Sequence, residues 1–377
     1  MTARLGVVAL AGPNNGGTYQ YTLSMLHGLQ HVKGFDVTLY GDPANPDFAE
    51  LGYRIVPFQE PRWRQLAALA AYRSHVSLPD PFRSEDVLLA PIYSLALLHT
   101  SRPFAFTLHD LQENYYPQNF TRWQRLWRHE AYSCLLERAR RVICESEHVK
   151  ADIAGSFPVP DERIRVIAAP PQRQFVEPQS DEQLHAVRER LQLPPRFLFY
   201  PAQFWVHKNH LRLIEAFAEV LKQVPDLKLV LTGKQRDQYR AVMETIGRLG
   251  LRGNVVHVGF VERDELQALY RLAAALVMPS LFESISIPVY EAFLAGTPVI
   301  ASGILGIPEQ VGDAALLFDP NSVASIRDAI LKVVADAGLA RALGRKGRER
   351  MLATTPERYG EQLQLLLGEL CGPEPNS

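Results

Sequence analysis

Two glutamates eight residues apart, Glu283 and Glu291, lie in the stretch LFESISIPVYEAFLAGTPVIAS (281–302). The apolar run 274–279 before it is short enough for a buried strand. Glu283 then falls in a loop. Ser286 is suited to an N-cap, and Pro288 to a first helical turn, where its missing N–H costs nothing. The helix so begun near Ile287 should stop at Gly296, and 299–301 begins the next buried strand. Helical side chains lean toward the N-terminus, so Glu291 points back toward the loop that carries Glu283. The backbone N–H groups at Ser284, Ile285 and Ser286 and the positive end of the helix dipole favour a phosphate by roughly 0.3–2 kcal/mol. An anion beside two acids needs a molecule that carries both phosphate and hydroxyls. A sugar nucleotide is such a molecule: diphosphate on the helix start, ribose on one carboxylate, sugar on the other. Each hydroxyl bonded to a carboxylate contributes about 1.5–3 kcal/mol.

With those residues in place, the stretch resembles the E-x7-E signature of the retaining glycosyltransferases of family 4 (group 1), which have the GT-B fold. Pro288, Glu291, Ala292, Gly296, Thr297, Pro298 and Val299 stand where that family usually has them. The resemblance implies that Glu291 binds the ribose and Glu283 the transferred sugar. It also marks a departure: Ser284, Ile285 and Ser286 replace the usual glycines, and their side chains narrow the sugar pocket.

The elements that must position these groups follow from the rest of the chain. At 377 residues it is long enough for two domains. Its net charge of −1 argues against general nucleic-acid binding. Three cysteines, Cys134, Cys144 and Cys371, have no paired or metal-ligand spacing and suit a reducing compartment, read as the cytoplasm. No apolar run reaches the 18 or more residues that span a bilayer, and the N-terminal LGVVALAG reads as a first strand rather than a leader.

Strands are expected at 5–11, 36–40, 54–56, 87–90, 104–109 and 141–144. A second series follows at 197–201, 227–232, 255–258, 274–279, 299–301 and 314–318. Strands alternating with helices imply parallel sheets covered by helices, an α/β architecture of two Rossmann-like domains. The resemblance adds that these domains face each other across a cleft and that the last helix crosses back to the N-terminal domain. The expected divisions are an acceptor-binding domain over 1–172, a linker over 173–195 and a nucleotide-sugar domain over 196–355. A crossover helix over 356–371 and a disordered tail over 372–377 complete the chain.

The first turn, GPNNGGTY, has no G-x-G-x-x-G pattern, and Thr18 is expected to cap the helix over 18–30. Gly16, Gly17 and Thr18 resemble the family's glycine-rich loop near the acceptor, although a tight turn needs glycine equally. His109 and Asp110 end a strand, where open α/β sheets bind ligands. The family places a His there, facing the transferred sugar, with Asp110 on the acceptor side.

In QFWVHKNH, Asn209 is expected to cap a helix and Lys208 to meet a diphosphate. This resembles the family's basic loop, but its usual arginine is missing, leaving His207, Lys234 or Arg236 to replace it. By the same resemblance Gly233 permits close backbone approach, and Phe260 and Val261 border the nucleobase.

The segment 120–141, with Trp123, Trp127 and Arg122, Arg125 and Arg128, reads in two ways. It is either a face that rests on an anionic inner membrane, bringing the enzyme to a lipid-linked acceptor, or a helix packing its tryptophans on its own sheet. Arg62, Trp63 and Arg64 have the same double reading.

The implied reaction is metal-independent, because the chain has no D-x-D sequence and no ligand-spaced cluster. A hexose moves from a GDP- or UDP-linked donor to a hydroxyl of a glycan or lipid-linked acceptor, with Lys208 and the helix start stabilising the leaving diphosphate. Mannose from GDP-mannose is the first sugar to test. The donor is a co-substrate, and no cofactor is implied. Two rivals remain at this stage: a sugar-nucleotide epimerase on the same fold, and a non-catalytic nucleotide-sugar-binding scaffold.

Overall fold

The structure, a computed structural model, describes residues 2–171, 179–352 and 354–372. The expected 372–377 tail lies outside these residues beyond Gly372, as does the start of the expected linker. The chain divides into two compact units, Met1–Gln172 with Thr354–Ser377, and Arg173–Ala353.

The first unit holds a parallel sheet of β1 (Ala3–Ala9), β2 (Phe35–Gly41), β3 (Arg54–Pro57), β4 (Val87–Ala90), β5 (Phe104–Thr107), β6 (Arg141–Cys144) and β7 (Ile164–Val166). Their order is β3-β2-β1-β4-β5-β6-β7. Strands such as VLLA and FAFT are wholly buried because helices cover both faces of the sheet.

The second unit repeats the plan with β8 (Phe197–Pro201), β9 (Lys228–Thr232), β10 (Val255–His257), β11 (Ala275–Met278), β12 (Val299–Ser302) and β13 (Ala315–Phe318). All are parallel, in the order β10-β9-β8-β11-β12-β13. Each sheet reverses direction once, between β1 and β4 and between β8 and β11. At such a point neighbouring connections leave to opposite faces and open a crevice beyond the strands' carboxyl ends.

The helix Asp181–Arg190, expected within the linker, belongs to the second unit. Gln179 just before it donates to the Asp264 carbonyl at 2.9 Å, and Arg190 pairs with Glu265.

The last helix, Pro356–Cys371, packs in the first unit against the helix Gly17–Leu29. The two approach at glycines: a Cβ on Gly360 would meet the Gly28 carbonyl at 2.7 Å. Farther along, Glu369 accepts from Arg141 of β6 (2.6 Å) and Arg165 of β7 (3.1 Å). Leu363, Leu366, Leu367 and Leu370 lie buried in the same core as Leu5, Val7 and Leu26.

Candidate functional site

Lys208 and Glu283 come from the two loops that flank the second sheet's reversal, after β8 and β11. Lys208 Nζ donates to Glu283 Oε1 at 2.6 Å, and both side chains are largely buried. The loop that carries Lys208 is strapped from several sides. Tyr200 Oη donates to the Lys208 carbonyl (2.6 Å), and Leu281 N donates to the His207 carbonyl (2.7 Å).

Asn209 stands at the N-cap position of its helix, as expected, but its side chain makes no capping hydrogen bond. It adopts the left-handed conformation (φ 59°), and its Nδ2 donates to the carbonyls of Pro279 (2.9 Å) and Pro320 (2.8 Å). Those carbonyls lie just beyond β11 and β13, so one amide fixes three loops of the sheet's carboxyl edge.

The helix Ile287–Ala295 begins and ends where its sequence predicts, with Gly296 left-handed at φ 74°. Ser286 stands at the N-cap position, but its hydroxyl makes no cap. It is buried without a partner, while Gln310 brackets the backbone: Ser286 N donates to Gln310 Oε1 (2.9 Å) and Gln310 Nε2 donates to the Ser286 carbonyl (2.7 Å). One of the N–H groups expected to meet a phosphate is therefore already used. Gln310 carries no sequence signal for this role, being 24 residues away on another helix.

Glu291 is 3% exposed and accepts from Tyr270 Oη at 2.5 Å. Burial pushes its carboxyl up to about 7, against the lowering effect of the Tyr270 hydrogen bond. Tyr270, itself buried, was not identifiable as its partner from spacing.

Gly233 has φ 125°, and a Cβ there would meet the Ala202 carbonyl at 2.5 Å, so the loops after β8 and β9 meet only because this residue is glycine. Of the candidates for the missing arginine, Arg236 donates to Gln203 Oε1 (2.9 Å) and stacks over Trp205, while Lys234 lies over Phe260. His207 lends its carbonyl to Leu281, as above. Phe260 is 70% exposed, whereas Val261 is buried.

In the first unit the cap of the Gly17–Leu29 helix is Gly16 (φ 59°, ψ −124°), a conformation a side chain would resist. Thr18, expected as the cap, lies inside the helix and donates to the Asn15 carbonyl. His109 sits two residues beyond β5. Both ring nitrogens are engaged: Nδ1 with Glu145 Oε2 at 3.0 Å and Nε2 with the Pro91 carbonyl at 2.8 Å. Since both partners are acceptors, the ring suits the doubly protonated form. Burial opposes that charge, but the bond to Glu145, its charge and the Pro91 carbonyl outweigh it and raise the imidazole's pKa. Neither nitrogen is left for a sugar in this arrangement. Asp110 accepts from Gln112 N and pairs with Arg128, which also holds Glu113.

Trp127 packs on the core of the first unit, whereas Trp123 is 81% exposed. Each reading of that helix, Arg122–Arg138, thus fits one tryptophan. Arg128 is tied to Asp110 and Glu113, which leaves Arg122 as the exposed cation of the first turn. Among the described residues no group of three His, Cys, Asp or Glu side chains could hold a metal ion, and no helix is long and apolar enough to cross a membrane.

Two Rossmann-like units, with Lys208 and Glu283 joined at the second sheet's reversal and Glu291 buried on the helix that follows, define a two-domain α/β class. Residues 181–350 match the family described as glycosyl transferases group 1, and residues 15–170 match glycosyltransferase family 4. The chain belongs to the group 1 glycosyltransferases of GT-B fold.

The O-antigen chain mannosyltransferase RfbU of Salmonella typhimurium is 26% identical over 85% of this chain and 88% of its own length. The O-antigen chain mannosyltransferase B of Escherichia coli is 27% identical over 61% of each chain, so the alignment leaves more than a third of that relative unmatched. Among solved structures, sucrose-phosphate synthase from Thermosynechococcus elongatus superposes with a TM-score of 0.76 at 22% identity, over 98% of this chain and 99% of that one. Anabaena Alr3699/HepE, solved in complex with UDP-glucose, superposes with a TM-score of 0.77 at 18% identity, over 97% and 99%.

Proposed function

We propose that the protein is a retaining, metal-independent hexosyltransferase. It moves mannose from a nucleotide-diphosphate sugar to a hydroxyl of a glycan or lipid-linked glycan in surface polysaccharide synthesis. The observation that carries the reading is the joining, at the sheet reversal, of Lys208 after β8 to Glu283, which lies on the βαβ unit that buries Glu291. The names of the O-antigen relatives favour mannose and an O-antigen type of acceptor, and the UDP-glucose held by a structural neighbour favours a nucleotide-sugar donor.

In this reading Glu291 takes the ribose hydroxyls and Glu283 the sugar hydroxyls. Lys208, held by Glu283, turns its charge to the diphosphate as negative charge grows on the leaving oxygen. Such fixed charge, prearranged in a poorly solvated loop, stabilises a transition state without reorganisation. Contact with the cytoplasmic face of the inner membrane through Trp63, Leu66, Trp123 and Leu126, all exposed, with Arg62 and Arg122 beside them, would bring a lipid-linked acceptor to hand.

The test is a thermal-shift series with GDP-mannose, UDP-glucose and their ADP- and dTDP-linked counterparts, without added metal, on the native chain and on Glu291→Ala. Donor present at a hundred times its dissociation constant stabilises by about 2.7 kcal/mol. The reading requires a shift with one donor that Glu291→Ala abolishes, and NMR of the product must show the donor's anomeric configuration retained. No shift with any donor would overturn the transferase reading in favour of a scaffold that has lost its donor site, and a shift without transfer to any acceptor would favour the nucleotide-sugar-binding scaffold.

A further inference from the structure

Gln310 is 5% exposed and lies on the short helix Ile307–Val311, which follows β12. A carboxamide so placed needs partners for both its donor and its acceptor. It finds both on the backbone of one residue: Ser286 N donates to Oε1 at 2.9 Å, and Nε2 donates to the Ser286 carbonyl at 2.7 Å. A methionine would fill the same space without that demand, so what the amide adds is a fixed geometry at Ser286.

The clamp is anchored from behind. Arg350, on the helix Ala337–Met351, donates through Nε to the Gln310 carbonyl and through Nη2 to the Glu309 carbonyl, each at 2.6 Å. Ile307 and Val311, at the two ends of the short helix, are buried in the second unit's core. The loop on which the amide acts is held at two other points: Leu281 N on the His207 carbonyl (2.7 Å) and Glu283 Oε1 on Lys208 Nζ (2.6 Å). Between Glu283 and Ser286 stand Ser284 and Ile285, both half-buried, whose N–H groups no described residue engages. The Ser286 carbonyl also accepts from Val289 N (3.2 Å), in the first turn of the helix that buries Glu291. One amide thus fixes the end of the loop and the start of the helix.

The structure assigns Gln310 as a positioning residue for glycosyl transfer: by holding Ser286 at both its N–H and its carbonyl, it aims the Ser284 and Ile285 N–H groups at the donor's diphosphate. The inference rests on the transferase reading and deepens it. Gln310 itself is assigned no contact with substrate. Its effect falls on the departing diphosphate, whose charge is greatest in the transition state, so misaimed N–H groups lower the rate more than they weaken donor binding.

The experiment uses the full chain and two variants. Gln310→Met keeps the volume and removes both hydrogen bonds. The probes are GDP-mannose and UDP-glucose, with mannotriose present. Release of nucleoside diphosphate is the readout, since it counts transfer to sugar and to water alike, and calorimetry gives the donor dissociation constant. Gln310→Met should lower kcat by about a hundredfold, the scale of a reacting group misplaced by about an ångström, and raise the dissociation constant less than about threefold.

Gln310→Glu separates aiming from packing. Ionised, the new carboxylate accepts from Ser286 N but sets a second acceptor against the Ser286 carbonyl; protonated, it donates to that carbonyl as the amide does. Burial favours the protonated form, as it does for Glu291, whose carboxyl it pushes up to about 7. The kcat of Gln310→Glu relative to the native chain should therefore rise about tenfold from pH 8 to pH 6, while that of Gln310→Met stays level. The charged groups about the clamp are Arg350 and Glu309 behind it, the Lys346–Asp313 pair beyond Gly312, the Lys208–Glu283 pair on the loop, and Glu291. All are present in the native chain, so the ratio isolates position 310.

Gln310→Met with native kcat overturns the inference, as does a relative kcat for Gln310→Glu that is low and level across the pH range. Melting temperatures show that each variant is folded where it is assayed. A native chain that neither binds nor turns over either donor sinks the transferase reading; native turnover matched by Gln310→Met sinks the inference alone.

Discussion

Lys208 Nζ and Glu283 Oε1 are 2.6 Å apart, so the cation assigned to a diphosphate and the carboxylate assigned to a sugar are held as one pair. Both are mostly shielded from water, so removing one partner leaves the other charged and poorly solvated. Lys208→Ala should lower stability by about 1–3 kcal/mol in urea denaturation and nearly abolish transfer. Lys208→Ala with Glu283→Gln should recover most of the stability and none of the transfer. Equal stability of the native chain and Lys208→Ala would show the pair to be incidental.

Glu291 makes stability and function oppose each other. Its folded pKa is raised from 4.5 to about 7. A raised carboxyl contributes stability that is fully present below pH 4.5 and lost as pH rises through about 7, because the buried group must then ionise. The shift corresponds to about 3 kcal/mol. Glu291→Gln keeps an acceptor for Tyr270 Oη and should be more stable than the native chain at pH 8 by about 2–3 kcal/mol. The difference should fade toward pH 5, while donor binding falls at both. Denaturation midpoints at the two pH values decide this, and a variant less stable at pH 8 would refute it.

His210 gives the opposite sign at the acid end. It is buried and stacked on Phe204 at 4.4 Å between ring centroids, with no hydrogen-bond partner on either ring nitrogen. Burial, helped by the charge of Lys208, pushes its pKa down from 6.5 to about 3. The unfolded chain therefore binds a proton below pH 6.5 that the folded chain refuses, and stability falls as pH drops toward 3, by about 4 kcal/mol. His210→Leu should flatten that limb of the stability profile. An unchanged acid limb would mean that other groups govern it.

The His109–Glu145 contact is testable by NMR of the imidazole. The raised pKa means that the stability it contributes is fully present below the ordinary imidazole value and lost as pH rises through the folded one. Glu145→Gln removes the countercharge while burial remains, so the imidazole pKa should fall below that in the native chain. No change in its ring resonances on titration would contradict the assigned contact.

Much of the architecture was legible because a strand buried on both faces must be an apolar run. FLFYP and VLLA are unambiguous for that reason. β7 was missed: IRV is three residues long and carries Arg165, which only makes sense once Glu369 from the last helix is beside it. The helix Ile287–Ala295 was placed correctly because its limits are written locally in Ser286, Pro288 and Gly296. What surrounds it was not legible. Tyr270 to Glu291, Glu145 to His109 and the Gln310 side chain to the Ser286 backbone join residues 21, 36 and 24 apart. Such pairs leave no periodic trace, and the fold alone brings them together. Asn209 and Thr18 departed for different reasons: Asn209 stands at the cap position but commits its side-chain amide to the Pro279 and Pro320 carbonyls, whereas Gly16 takes the cap position from Thr18.

The placement of the last helix has a consequence for synthesis. As the chain leaves the ribosome, residues 1–172 emerge first, yet the partner for the Gly28 surface and the carboxylate for Arg141 and Arg165 arrive some two hundred residues later, after the whole second unit. Until then the groove that takes Leu363, Leu366 and Leu367 is open apolar surface. Shortening the gene at residue 353 to obtain a tidy product would therefore leave the second unit intact and the first unfinished, so a purification tag belongs after the last helix and never in place of it.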